Sequence, residues 1–172
     1  RIAQSPTQTR QSINNHDNSI STEKTLFCSN DYLSLASHPE VIAALKDGID
    51  KWGGGSGASH LISGHMAPHE ELENMISQLF SGLISDNRCI TFSTGYMANL
   101  AVITALAQGD CEIFSDELNH ASLIDGIRLC KKTVKIFKHA NYDHLAMMLN
   151  QSTAELRLIV TDGVFSMDGD KA

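Results

Sequence analysis

The 172-residue sequence is short of several things, and each shortage removes a class of protein. It has four cysteines, Cys28, Cys89, Cys111 and Cys130, irregularly spaced and without a C-x-x-C pair, so neither a secreted disulfide scaffold nor a thiolate metal knuckle is indicated. They read as reduced structural thiols. Three prolines and twelve glycines are too few for a collagenous or low-complexity chain. No apolar run approaches the ~18 residues of a membrane span, and the polar first 25 residues contain no signal-like apolar core. The reading is a cytoplasmic protein without a membrane segment. Basic residues number 13 against 20 acidic ones, a formal charge of −7, which argues against nucleic acid or anionic membrane as partner. What remains is a 42% hydrophobic, 19% charged globular chain, about one domain long.

Organisation follows from periodicity. Residues 1–25 show none and are assigned to an arm without structure of its own. A first helix is expected from Pro39 through Val41, Ile42, Leu45 and Ile49, ending at Gly53-Gly54-Gly55. A second starts near Pro68 and carries Leu72, Met75, Ile76, Leu79 and Phe80 on one face. From residue 88 short β-type runs alternate with helical ones: Arg88–Phe92 then Gly95–Ala107, Cys111–Ser115 then His120–Cys130, Thr133–Lys138 then Tyr142–Asn150, and finally Leu156–Thr161. Such alternation implies right-handed crossovers and a mostly parallel sheet, with ligands beyond the carboxyl ends of the strands. The fold class is α/β, divided into the arm 1–25, a segment 26–66 with a helix and a Gly-rich loop, and the first part of a larger domain over 67–172.

Four places hold candidate chemistry, each with a plainer alternative. The loop 53–65 contains Gly53, Gly54, Gly55, Gly57 and Gly64, which suits either a functional loop or a flexible connection; it does not follow a strand as a dinucleotide fingerprint would. Ser93-Thr94-Gly95-Tyr96 precedes a helix, whose N-terminal amides and dipole can bind phosphate, or it is an ordinary cap. His120 opens a helix at the ligand-binding edge of the sheet, or makes a local hydrogen bond. Asp162-Gly163-Val164-Phe165-Ser166-Met167-Asp168-Gly169-Asp170 sets a hydroxyl and three carboxylates at that same edge, as a site or as a solvated turn. The eight histidines show no zinc pattern, and no metal is expected. Arg128, Lys131, Lys132, Lys135 and Lys138 read as a solvated face.

Five ordered motifs together resemble the α-oxoamine synthases, pyridoxal-phosphate enzymes of the aspartate-aminotransferase fold (fold type I). They are Ser29-Asn30-Asp31-Tyr32-Leu33, Gly55-Ser56-Gly57-Ala58-Ser59 with Ile62-Ser63-Gly64, Thr94-Gly95-Tyr96-Met97-Ala98-Asn99, Asn119-His120-Ala121-Ser122, and Thr161 to Gly169. The Gly loop and the Thr94-Gly95-Tyr96 turn look most like the branch that condenses L-alanine with a pimeloyl thioester, of CoA or acyl carrier protein, to give 8-amino-7-oxononanoate in biotin synthesis. Asn119 to Gly126 and Asp162 are shared with the glycine C-acetyltransferase branch.

The resemblance implies roles. The amides of Gly95 and Tyr96 would hold the phosphate of pyridoxal 5'-phosphate, His120 would stack on the pyridine ring and contact substrate, and Ser166 would bond the cofactor's phenolic oxygen. Asn30 would lie near the amino-acid carboxylate, and the 55–64 loop at a homodimer interface. The family's Schiff-base lysine and pyridinium-pairing aspartate match no residue here, so the expectation is the N-terminal part of a longer enzyme, inactive alone. A non-catalytic partner subunit of the same fold is the alternative.

Overall fold

The computed structural model describes residues 2–3, 10–14, 22–83 and 86–172, with side chains from residue 23 onward. The chain falls into two compact units, residues 1–70 and 71–172.

The first unit opens with strands β1 (Ile2–Ala3), β2 (Arg10–Asn14) and β3 (Thr22–Thr25) in an antiparallel sheet of that order, with Arg10 opposite Thr25 and Ile2 opposite Asn14. The expectation of an unstructured arm is therefore corrected within its described part; residues 4–9 and 15–21 lie outside the described residues. The pairing rests on backbone hydrogen bonds, which a polar stretch without period-2 hydrophobicity does not announce. Asp31 then organises a turn, its Oδ1 accepting from the amides of Leu35 (2.9 Å) and Ala36 (3.2 Å). Helix α1 (Pro39–Trp52) has proline in its first turn, where a missing N–H is harmless, and stops at Gly53, whose φ of 83° favours glycine. The expected loop contains one wide helical turn, His60–Gly64. Gly64 is buried there, and a Cβ on it would stand 2.1 Å from the Ala58 carbonyl oxygen.

Helix α2 (Ala67–Phe80) carries the chain into the second unit. No strand forms over 88–92, contrary to the pattern. A β-type run needs a partner ladder, and here the amide and hydroxyl of Thr91 both go to the Glu73 carboxylate at 2.9 Å. Beyond it the expected alternation is found: α3 (Gly95–Leu106), β4 (Cys111–Asp116), α4 (Ala121–Cys130), β5 (Thr133–Phe137), α5 (Tyr142–Asn150) and β6 (Leu156–Val160). The sheet is parallel in the order β5-β4-β6. β4 is central, covered on both faces, with Ile113 and Phe114 fully buried. Ile113 packs with Ile103 and Ala107 near or in α3, Leu123 and Ile127 of α4, and Val160 of β6. Gly126 lets α3 and α4 approach closely: a Cβ on it would meet Ile103 Cδ1 at 3.1 Å and the Asn99 carbonyl oxygen at 3.4 Å.

Candidate active site

Because β4, β5 and β6 run parallel, the segments that leave them emerge along one edge of the sheet, the edge where open α/β sheets bind ligands. After β4 comes Asn119, 5% exposed, whose Nδ2 donates to the Val160 carbonyl (2.8 Å) and Ser115 Oγ (2.9 Å). It ties the outlets of β4 and β6 together. Its Oδ1 is buried and has no partner among the described residues.

His120 caps α4. Its backbone N–H donates to Asp162 Oδ2 at 2.8 Å, joining the two outlets again. Its Nδ1 accepts from the Ser122 amide (3.2 Å) and lies 2.6 Å from Ser122 Oγ, which in turn accepts from Asn99 Nδ2 at 2.9 Å. The order of donors is then fixed: Asn99 to Ser122, Ser122 to His120 Nδ1. In the neutral ring the proton sits on Nε2. Ser122 is completely buried, so this relay orients the imidazole from inside the protein.

The turn after β6 completes a cleft of about 260 Å³, lined by Leu118, His120, Asp162, Phe165, Ser166 and Asp168 among others. The structure thus brings His120, Asp162 and Ser166 together, as the strand-edge argument requires. Phe165 is buried beneath this wall, while Ser166 is exposed to the cleft.

Gly95 and Tyr96 open α3. Thr94 caps the helix, its Oγ1 accepting from the Met97 amide at 3.1 Å and its carbonyl accepting from Ala98. The Gly95 and Tyr96 amides precede the first intrahelical donor, the Ala98 amide, and have no partner among the described residues. Apart from its chain neighbours and the backbone of its own helix, no heavy atom of the described residues lies within 4 Å of where a Gly95 Cβ would stand, so the backbone is open to a ligand. The Tyr96 hydroxyl donates to the Asp125 carboxylate, which also receives Arg128 at 3.1 Å. That hydrogen bond raises the Tyr96 phenol above its ordinary range and is the main cause holding Asp125 below its own. Asn30 belongs to the first unit, exposed in the turn before α1.

Sequence reasoning missed three supporting groups, Asn99, Asn119 and Ser122, whose roles come from contacts 23 or more residues away. It also missed His139, which follows β5 and lies between Asp116 (3.0 Å) and Asp170 (2.6 Å). In the first unit, His60, His65 and His69 gather with ring centroids 4.4 to 5.8 Å apart, although the sequence places them on separate segments.

Comparison with known proteins agrees with this layout. The chain is 57% identical over 146 residues to an 8-amino-7-oxononanoate synthase of Bordetella petrii, covering 85% of this chain and 37% of that protein. It is 49% identical over 172 residues to an 8-amino-7-oxononanoate synthase 2 of a Polaromonas species, covering all of this chain and 42% of that one. Among solved structures, serine palmitoyltransferase of Sphingomonas wittichii superposes with a TM-score of 0.85 at 32% identity, over 95% of this chain and 39% of that one. The 8-amino-7-oxononanoate synthase of Francisella tularensis does so with a TM-score of 0.63 at 32% identity, over 84% and 38%. The chain therefore spans about two-fifths of the length of the curated relatives it matches. The fold is that of the fold type I enzymes, and the model of aminotransferase class I and II matches residues 22–172. The chain belongs to the aminotransferase class I and II family.

Proposed function

We propose that this chain holds pyridoxal 5'-phosphate and that the whole protein condenses L-alanine with a pimeloyl thioester, releasing CO2 and the thiol and forming 8-amino-7-oxononanoate. The observation that carries the cofactor is the pair of amides at Gly95 and Tyr96, without partners among the described residues, on the same unit as a cleft bearing an oriented imidazole and the Ser166 hydroxyl. A phosphorylated heteroaromatic ring asks for those groups: an anion-binding helix terminus, a flat partner and a hydrogen-bonding hydroxyl. When bound, the cofactor supplies an electron sink for a carbanion at the amino-acid Cα. The names of the relatives support the reaction.

The chain's residues divide the work. The Gly95 and Tyr96 amides hold the phosphate, with Thr94 keeping the helix terminus in shape. His120 offers its ring face to the cofactor and its Nε2–H to the substrate, held by Ser122 and Asp162. Ser166 reaches the phenolic oxygen from the turn after β6. Asn30 as a contact of the amino-acid carboxylate, the 55–64 loop as part of a homodimer interface, and a cytoplasmic location rest on the resemblance. No helix among the described residues is long and apolar enough to cross a membrane.

Titration calorimetry of the whole protein with pyridoxal phosphate tests the site. Ser166→Ala should weaken binding about fivefold, the equivalent of roughly 1 kcal/mol for one hydrogen bond. Unchanged affinity in that variant would remove Ser166 from the site. Thiol release from pimeloyl-CoA or acetyl-CoA, with L-alanine or glycine offered in turn, tests the reaction. Preference for glycine and the acetyl thioester would place the protein in the glycine C-acetyltransferase branch instead.

A further inference from the structure

His139 stands outside all five motifs and outside the cleft lining, yet its imidazole is held between two carboxylates at the carboxyl edge of the sheet. Its imidazole, 17% exposed, has a carboxylate oxygen against each nitrogen: Asp116 Oδ1 at 3.0 Å from Nδ1 and Asp170 Oδ2 at 2.6 Å from Nε2. Asp116, with a side chain 2% exposed, acts as acceptor in its other contacts too, taking the amides of Leu118 (2.8 Å) and Ala140 (3.1 Å). A neutral imidazole has one N–H and one lone pair, so with acceptors on both sides it would set lone pair against lone pair. The doubly protonated ring satisfies both contacts.

The remaining charged groups nearby agree. The His139 amide donates to Glu117 Oε1 at 2.8 Å, and the adjacent Lys138 amide to His144 Nδ1 at 3.1 Å. Three carboxylates, of Asp116, Glu117 and Asp170, thus face His139, with Lys138 and His144 beside it. The Phe165 ring meets the imidazole edge-on at 4.4 Å. Asp170 closes the turn after β6: its carbonyl accepts the Phe165 amide at 2.9 Å, the Phe165 carbonyl accepts that of Gly169 at 2.8 Å, and Val164 pairs with Lys171. That turn carries Val164, Phe165, Ser166, Met167 and Asp168 into the cleft wall.

We propose that His139, as an imidazolium between Asp116 and Asp170, is a positioning residue that clasps the 162–172 turn to the end of β4 and so sets the cleft wall bearing Ser166. The clasp holds whichever ligand the cleft takes.

Its pH behaviour follows in sign. The hydrogen bonds to Asp170 and then Asp116 raise His139 above its ordinary 6.5, and the bond to His139 is the main cause lowering Asp170 below its ordinary 3.8. A raised histidine contributes fully below its unfolded value, and that contribution is lost as pH rises through the raised folded value. A lowered aspartate contributes above its unfolded value and loses it as pH falls through the depressed one. The clasp is closed from mildly acidic to neutral pH and opens on either side.

Two measurements on the intact protein decide the matter: imidazole nitrogen shifts for His139 protonation, and hydrogen exchange of residues 162–172 corrected for its intrinsic pH dependence. His139 should titrate above 6.5, and protection of the turn should fall through the same pH step, as the loss of the imidazolium's contribution requires. His139→Gln should lower protection at neutral pH and abolish the step. Asp170→Asn, which can donate to a neutral Nε2, should keep the turn protected and move the titration to lower pH. An imidazole that titrates at or below 6.5, or a turn equally protected in wild type and His139→Gln, overturns the proposal. Should the variants loosen β4 as well, the wild-type titration and its protection step still separate the two outcomes.

Discussion

Helices α1 and α4 present equally regular apolar faces, yet their fates differ. In α4, Leu123 and Ile127 are 8% and 5% exposed, packed on β4. In α1, Leu45 and Ile49 are 61% and 52% exposed, and no residue of that helix is buried. The contrast extends to the two units. Every buried hydrophobic among the described residues lies between Ile103 and Phe165, in the second unit, while the first buries Gly64. A hydrophobic period states which face a helix offers; whether something covers it is a separate, non-local fact. The carboxyl-edge site is built on the unit where the cover is present, so its side chains are held from below by a packed strand.

The largest expected effect tests that difference directly. Phe114→Ala removes a fully buried ring from the middle strand and should cost about 3–5 kcal/mol, measured by denaturant unfolding of the intact protein. Leu45→Ala on the exposed face of α1 should cost less than about 1 kcal/mol, because little area leaves the protein interior. Equal costs would show that the α1 face is covered in the intact protein, and the comparison between the units would fail.

A middle-sized effect sharpens it at the site. Asn119→Ala deletes both Nδ2 hydrogen bonds, one to Ser115 Oγ within β4 and one to the Val160 carbonyl that joins the outlets of β4 and β6, and leaves that carbonyl without this donor, which should cost about 1–3 kcal/mol. Asn30→Ala, exposed in the first unit, should stay within about 0.5 kcal/mol, whatever it does to substrate affinity. Thermal unfolding of both variants reads the difference.

The sequence made legible what is local. Pro39 and Gly53 bounded α1 correctly, and β4, α4, β5, α5 and β6 lie within a residue or so of their expected limits, because caps and periodicity are carried by neighbours along the chain. Residues 88–92 and 10–14 reversed the expectation for one reason: a strand exists only with a partner, and the hydrophobic pattern of one run says nothing about whether a partner edge is free. At the site, the edge position of His120 and Ser166 could be inferred from the strand ends. Asn99, Ser122 and His139 could not. Their meaning depends on partners 23 to 31 residues distant, and isolated Asn, Ser and His residues look alike until the chain brings those partners together.

The smallest effect concerns the joint between α3 and α4, where two opposing terms nearly cancel. Gly126→Ala would gain up to about 1 kcal/mol of helix propensity. Against this, the new methyl stands 3.1 Å from Ile103 Cδ1, a tight contact with the end of a flexible side chain, and 3.4 Å from the Asn99 carbonyl oxygen. Overpacking of this kind costs upward of about 1 kcal/mol in a core that cannot yield. A shift of Cδ1 by a few tenths of an ångström relieves most of it, so the net change should lie within about 1 kcal/mol of zero. Ile103→Val separates the terms, since it removes Cδ1 and leaves contacts of 3.4 Å. In that background Gly126→Ala should be stabilising, and the cycle of the four proteins should show a favourable coupling between the two changes. Strict additivity would mean that the helices already sit farther apart than Gly126 allows, and that the relay from Asn99 through Ser122 to His120 is not held by their close approach.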